Sequence, residues 1–137
     1  MSSSTQLPFR ARSVRVLIVS DHPETSDMYA IYLRSKGFAV ATAAYEDAAA
    51  EAHGFRPDVI AADLGRPLEA TLSVCRQFKE HPHTRGIPIV ALTGYASERT
   101  DADAALAGCD SVLVKPVEPE AFFNVIGRIL DLTTRSA

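Results

Sequence analysis

The sequence predicts an α/β fold, a single doubly wound parallel sheet covered by helices on both faces. Three observations predict it. Short, apolar, β-branched runs recur along the chain. Helix-patterned segments separate them. The intervals suit one βα unit after another, five in all.

In chain order, residues 1–12 are serine-rich, contain Pro8 and show no periodicity, so they are expected to form a mobile leader before a domain at residues 13–134. Val14 to Val19 is almost continuously apolar, as a strand covered on both faces should be. Met28, Ile31, Tyr32 and Ser35 share a 3.6-residue spacing, and Gly37 closes that helix. Phe38 to Thr42 reads as a weaker strand near an edge. Glu46 to His53 is alanine-rich and helical. Val59 to Ala62 is the third strand, followed by the stripe Leu68, Leu72, Cys75 and Phe78. Ile89 to Leu92 is the fourth strand, and Ala102, Ala105 and Leu106 make a weaker stripe closed by Gly108. Val112 to Val114 is the fifth strand. Phe122, Val125, Ile126, Ile129 and Leu130 form the strongest stripe, with Pro119 placed for its first turn.

Composition narrows the function. The chain has 137 residues, 47% of them hydrophobic and 23% charged, which suits one domain with its own core. A net charge of -3 without a basic block argues against gripping a nucleic-acid backbone directly. No apolar run is long enough to span a bilayer, and a cytoplasmic location is expected. Cys75 and Cys109 form no CxxC pair and read as reduced, buried thiols. His22, His53, His81 and His83 lack metal-ligand spacing and read as surface residues.

In a doubly wound sheet, ligands bind beyond the carboxyl ends of the strands, where the strand order reverses. Ser20-Asp21 follows the first strand, Asp63 the third, Thr93-Gly94 the fourth and Lys115-Pro116 the fifth. One acid at a strand end is an ordinary turn residue. Two carboxylates, a hydroxyl and a lysine at four strand ends make a pocket for phosphoryl chemistry. A carboxylate such as Asp63 can attack phosphorus. Two close acids favour a divalent cation, and Mg²⁺ suits a site with few carboxylates and several waters. Lys115 supplies mobile positive charge and Thr93 a hydroxyl donor.

The strings VRVLIVSD, PDVIAADLGRP, IPIVALTG and SVLVKP, in this order, resemble the receiver domains of two-component response regulators. The resemblance covers Val14 to about Leu132. It implies a flavodoxin-like (βα)5 sheet of order 2-1-3-4-5, with Asp63 as phosphoacceptor. It makes Asp21, Asp63 and the Gly65 carbonyl the ligands of Mg²⁺, sets Thr93 and Lys115 on the phosphoryl group, and gives a cis Lys115-Pro116 bond. The implied donor is a phosphohistidine on a histidine kinase or phosphotransfer protein. The implied output is contact with a downstream protein, or a homodimer through the last two helices, rather than turnover as an enzyme.

Three positions depart from the family pattern. Ser20 stands where the family carries a second acid, which should weaken the cation site while leaving a hydroxyl for a metal-bound water. Thr71 stands where a glycine is usual, so the loop after Asp63 should run differently or enter its helix sooner. Val112 replaces an aromatic, and Tyr95 is expected to shield the phosphoryl group instead. Phe123 is the residue of the last helix expected at an interface. These departures keep open a second function, a pseudo-receiver that binds partners without phosphorylation. A flavodoxin would need a glycine-rich loop after the first strand, which Ser20 to Glu24 does not provide. A haloacid-dehalogenase-like phosphatase would need an aspartate where Gly65 stands.

Overall fold

Each apolar run forms a strand, and the strands alternate with helices. The computed structural model describes residues 13–94 and 97–136. The expected leader at 1–12 and the shielding role expected of Tyr95 lie outside the described residues. The elements are β1 (Arg15–Val19), α1 (Pro23–Ser35), β2 (Ala39–Ala43), a 3-10 turn (Tyr45–Asp47), α2 (Ala48–Phe55), β3 (Val59–Asp63), α3 (Leu68–Glu80), β4 (Ile89–Thr93), α4 (Glu98–Leu106), β5 (Ser111–Val114) and α5 (Pro119–Ser136). All strand pairs are parallel, in the order β2-β1-β3-β4-β5. The order reverses between β1 and β3, so the switch point lies at their carboxyl ends. Among the described residues, no helix is long and apolar enough to cross a membrane.

Successive strand residues face opposite sides, and this splits the core in two. One side gathers Val16, Ile18, Val59, Ala61, Val90 and Leu92 under α1 and α5, with Tyr29, Leu33, Phe122 and Ile126. The other gathers Leu17, Val19, Ile60, Ala62, Ile89 and Ala91 under α2, α3 and α4, with Ala48, Ala52, Leu72, Cys75, Phe78 and Ala104. Cys75 and Cys109 are free and buried there.

Two helices turn a different face inward from the one their spacing suggests. In α1 the buried residues are Ser26, Tyr29, Ala30 and Leu33, while Met28 and Ile31 are exposed. The segment from Met28 to Leu33 is apolar all round, so spacing alone fits either line. The Tyr29 hydroxyl decides it by donating to the Val117 carbonyl at 2.6 Å. In α4 the buried residues are Thr100 and Ala104, followed by Ala107, while Ala102 and Ala105 are exposed and Leu106 is 84% exposed. Small alanines face the sheet, and the one large apolar residue of the helix points away. Phe123, the residue of the last helix expected at an interface, keeps part of its surface exposed. Its ring is half-buried against Phe38, at 5.2 Å, and Tyr32, at 6.4 Å.

Other expectations hold. Gly108 has φ +100°, and a Cβ there would overlap the Lys79 side chain. Leu68 begins α3, and Thr71 is buried in its first turn with its hydroxyl donating to the Leu68 carbonyl at 2.8 Å. The four histidines are exposed. His53, His81 and His83 line a cavity of 580 Å³ between α2 and α3.

Candidate functional site

The carboxyl ends of β1, β3, β4 and β5 bring the expected groups to one edge of the sheet. Asp63 is the last residue of β3, between β1 and β4, and is 2% exposed. A carboxylate this buried needs partners, because desolvation is costly for an unpaired charge. It has two. Lys115 Nζ lies 2.6 Å from Asp63 Oδ1. The Ser20 hydroxyl donates to Oδ2 at 2.8 Å.

Lys115 is placed by its backbone, whose amide donates to the Thr93 carbonyl at 2.7 Å as β5 leaves the sheet. The Lys115-Pro116 bond is cis. Ser20 is buried and also accepts from the His22 amide at 2.9 Å. It therefore faces the Asp63 carboxylate directly. Thr93 ends β4 and is 2% exposed. Gly65, Arg66, Thr93, Thr100, His22 and Lys115 line an open cavity of 730 Å³.

Asp21 joins the group at one remove. It is exposed, and its Oδ1 accepts from the Tyr45 amide at 3.1 Å. Capping of the first helix is left to His22, which makes no side-chain cap bond. The same Tyr45 turns its ring inward, and its hydroxyl donates to the Asp63 carbonyl at 2.8 Å. Burial, with smaller contributions from Cys75 and Asp63, pushes the Tyr45 phenol well above the usual tyrosine value. It stays a protonated donor. The sequence reading passed over this residue. The signal was present: an aromatic two positions after β2, at the same edge as the other strand ends. An edge strand lies outside the switch point, so the rule for ligand sites in such sheets does not point to the end of β2.

The donor set fits Mg²⁺. Two carboxylates and the backbone carbonyl of Gly65 match a cation that takes one or two carboxylates and keeps several waters. Among the described residues no group of three or more His, Cys, Asp or Glu forms a closed metal cage. Each Asp63 oxygen already takes one hydrogen bond and keeps a second lone pair.

Comparison with known proteins identifies the family. The model of the response regulator receiver domain matches residues 16–127. The transcriptional regulator RpaA of Synechocystis is 30% identical over 122 residues, 88% of this chain and 51% of RpaA. The chain thus spans about half the length of that relative. The polar-differentiation response regulator DivK of Brucella anthropi is 26% identical over 81% of this chain and 91% of its own length. Among solved structures, the receiver domain of a Pseudomonas aeruginosa sensor histidine kinase, with magnesium in its active-site cleft, is 26% identical with TM-score 0.77. It covers 88% of this chain and 99% of that one. The chain belongs to the response regulator receiver family of two-component signalling. Such domains are signalling modules that work with histidine kinases and downstream effectors.

Proposed function

We propose that this member of the family accepts a phosphoryl group on Asp63 from a phosphohistidine of a histidine kinase or phosphotransfer protein. The observation that carries the reading is the buried Asp63 carboxylate at the switch point, bridged at 2.6 Å to Lys115. An Asp63 oxygen attacks phosphorus, the phosphorus–nitrogen bond breaks, and the imidazole leaves with the bonding electrons and takes up a proton. The product is an acyl phosphate. Little covalent help is needed; alignment and charge neutralisation dominate. Lys115 moves its charge from Asp63 to the phosphoryl oxygens, and Thr93 donates its hydroxyl to one of them. Asp21, Asp63 and Gly65 would hold Mg²⁺, which would supply further positive charge there. The signal leaves by protein contact in the cytoplasm. The exposed Leu106, Ala102 and Ala105 of α4, with Val114 of β5, offer a face for a downstream protein or a second copy.

A second reading, the pseudo-receiver, draws support from Ser20, which stands in place of an acid and donates its hydroxyl to one Asp63 oxygen. One experiment separates the two. Wild type and Asp63→Asn are incubated with Mg²⁺ and acetyl phosphate and weighed by mass spectrometry. The expected outcome is an acid-stable, base-labile gain of one phosphoryl group in wild type alone. No gain in either protein would favour the pseudo-receiver.

A further inference from the structure

We infer that Tyr45 is a positioning residue that holds the two acids of the site in register, through its backbone to one and its side chain to the other. The inference rests on the proposed reading only in taking Asp21, Asp63 and Gly65 as one cation site.

The turn that carries Tyr45 is itself anchored. The Ser20 amide donates to the Ala43 carbonyl at 2.9 Å, fixing the end of β2 against the end of β1. Two residues later the Tyr45 amide meets Asp21 and the ring runs inward over the α2–α3 side of the core. The hydroxyl reaches the carbonyl of Asp63, the last peptide of β3. From there the chain has two residues to reach Gly65. Leu64 is held on the opposite side by its amide, which donates a hydrogen bond to the Leu92 carbonyl at 2.8 Å. The strand end is thus gripped from β4 on one side and from the turn after β2 on the other. Gly65 has no side chain to fix its own torsions, so the direction of its carbonyl depends on that grip. Losing the Tyr45 hydroxyl would leave a buried carbonyl without its donor and free the 63–65 segment to turn.

The test is direct cation binding, which does not depend on phosphorylation. Mg²⁺ is titrated into the full chain, wild type and Tyr45→Phe, by calorimetry, with amide exchange followed at Leu64 and Gly65. Tyr45→Phe keeps the ring and the amide bond to Asp21. Its Mg²⁺ affinity should fall about two- to tenfold, the range expected from one net hydrogen bond, and exchange at residues 64 and 65 should quicken. Thr84→Val is the control. It removes another buried hydroxyl-to-carbonyl bond, the 2.6 Å contact to Phe78 beyond the far end of α3, and should leave affinity unchanged. Equal affinity in wild type and Tyr45→Phe would overturn the inference, as would an equal fall in Thr84→Val or no Mg²⁺ binding by wild type. Should Tyr45→Phe fail to fold, wild type still decides. Mg²⁺ should shift the Tyr45 amide resonance, although that residue donates nothing to the cation, and an unmoved resonance would refute the assignment. If affinities follow the expectation but acetyl phosphate leaves wild type unmodified, the inference stands and the phosphorylation reading falls.

Discussion

Tyr29 and Tyr45 lie on opposite sides of the sheet and do the same chemistry for opposite halves of one ion pair. Tyr29, on α1, gives its hydroxyl to the Val117 carbonyl, two residues beyond Lys115. Tyr45, in the turn after β2, gives its hydroxyl to the Asp63 carbonyl. The supports differ. Tyr29 packs edge-on against Phe122 with ring centroids 4.8 Å apart, in a layer of large side chains. Tyr45 packs into a layer rich in alanine, with Ala48, Ala52, Ala62, Ala91 and Ala104. One side holds the lysine loop beside large side chains, and the other holds the Asp63 carbonyl from a layer with more alanines. The two sides should therefore fail in different ways.

The largest expected contrast is in stability. Phe122→Ala removes the largest fully buried side chain among the described residues, from the Tyr29 side, and should cost about 3–5 kcal/mol. On the other side Ala104 is fully buried, and there enlargement is the threat. Ala104→Val should cost about 1–3 kcal/mol by overpacking. Urea unfolding measures both, and a tolerant Phe122 site would erase the distinction between the layers.

A smaller effect tests the hydroxyls. Tyr29→Phe should cost about 1 kcal/mol and slow phosphorylation through Lys115 while sparing Mg²⁺ affinity. Tyr45→Phe should show the reverse order of sensitivity. Burial raises both phenols above their ordinary value, with the Val117 bond partly offsetting it for Tyr29. Below about pH 10, the ordinary tyrosine value, both folded and unfolded chains keep these protons and the stabilisation is complete. As pH rises further, the unfolded chain loses protons that the folded chain retains, so stability falls. Urea midpoints measured on either side of that pH should show the fall, and the double Phe variant should flatten it.

The smallest effect belongs to the outer face of α4. Leu106→Ala should change stability by less than about 0.5 kcal/mol, since the side chain is 84% exposed. A loss of self-association or partner contact in that variant, with folding intact, would mark the output face.

Much of this was legible in the sequence. Strand runs such as Val16 to Val19 are unambiguous because a strand covered on both faces has no polar alternative. Asp63, Thr93 and Lys115 were legible because each ends or directly follows a strand, and chain order carries strand ends to one edge. The inward faces of α1 and α4 were not legible. Met28 to Leu33 is apolar on every side, and alanine at 102, 104, 105 and 107 gives no gradient to read. The ring contacts of Phe123 were not legible either, because its partners, Phe38 and Tyr32, come from distant chain segments.

By itself the sequence determined the order of strands and helices and the residues at the strand ends, since these follow from local polarity and spacing. Only the tertiary structure decided that Ser20 faces Asp63 and that Tyr45 ties Asp63 to Asp21. Those bonds join residues 18 to 43 positions apart. A hydrogen bond depends on where two backbones come to rest, and no periodicity along the chain encodes that.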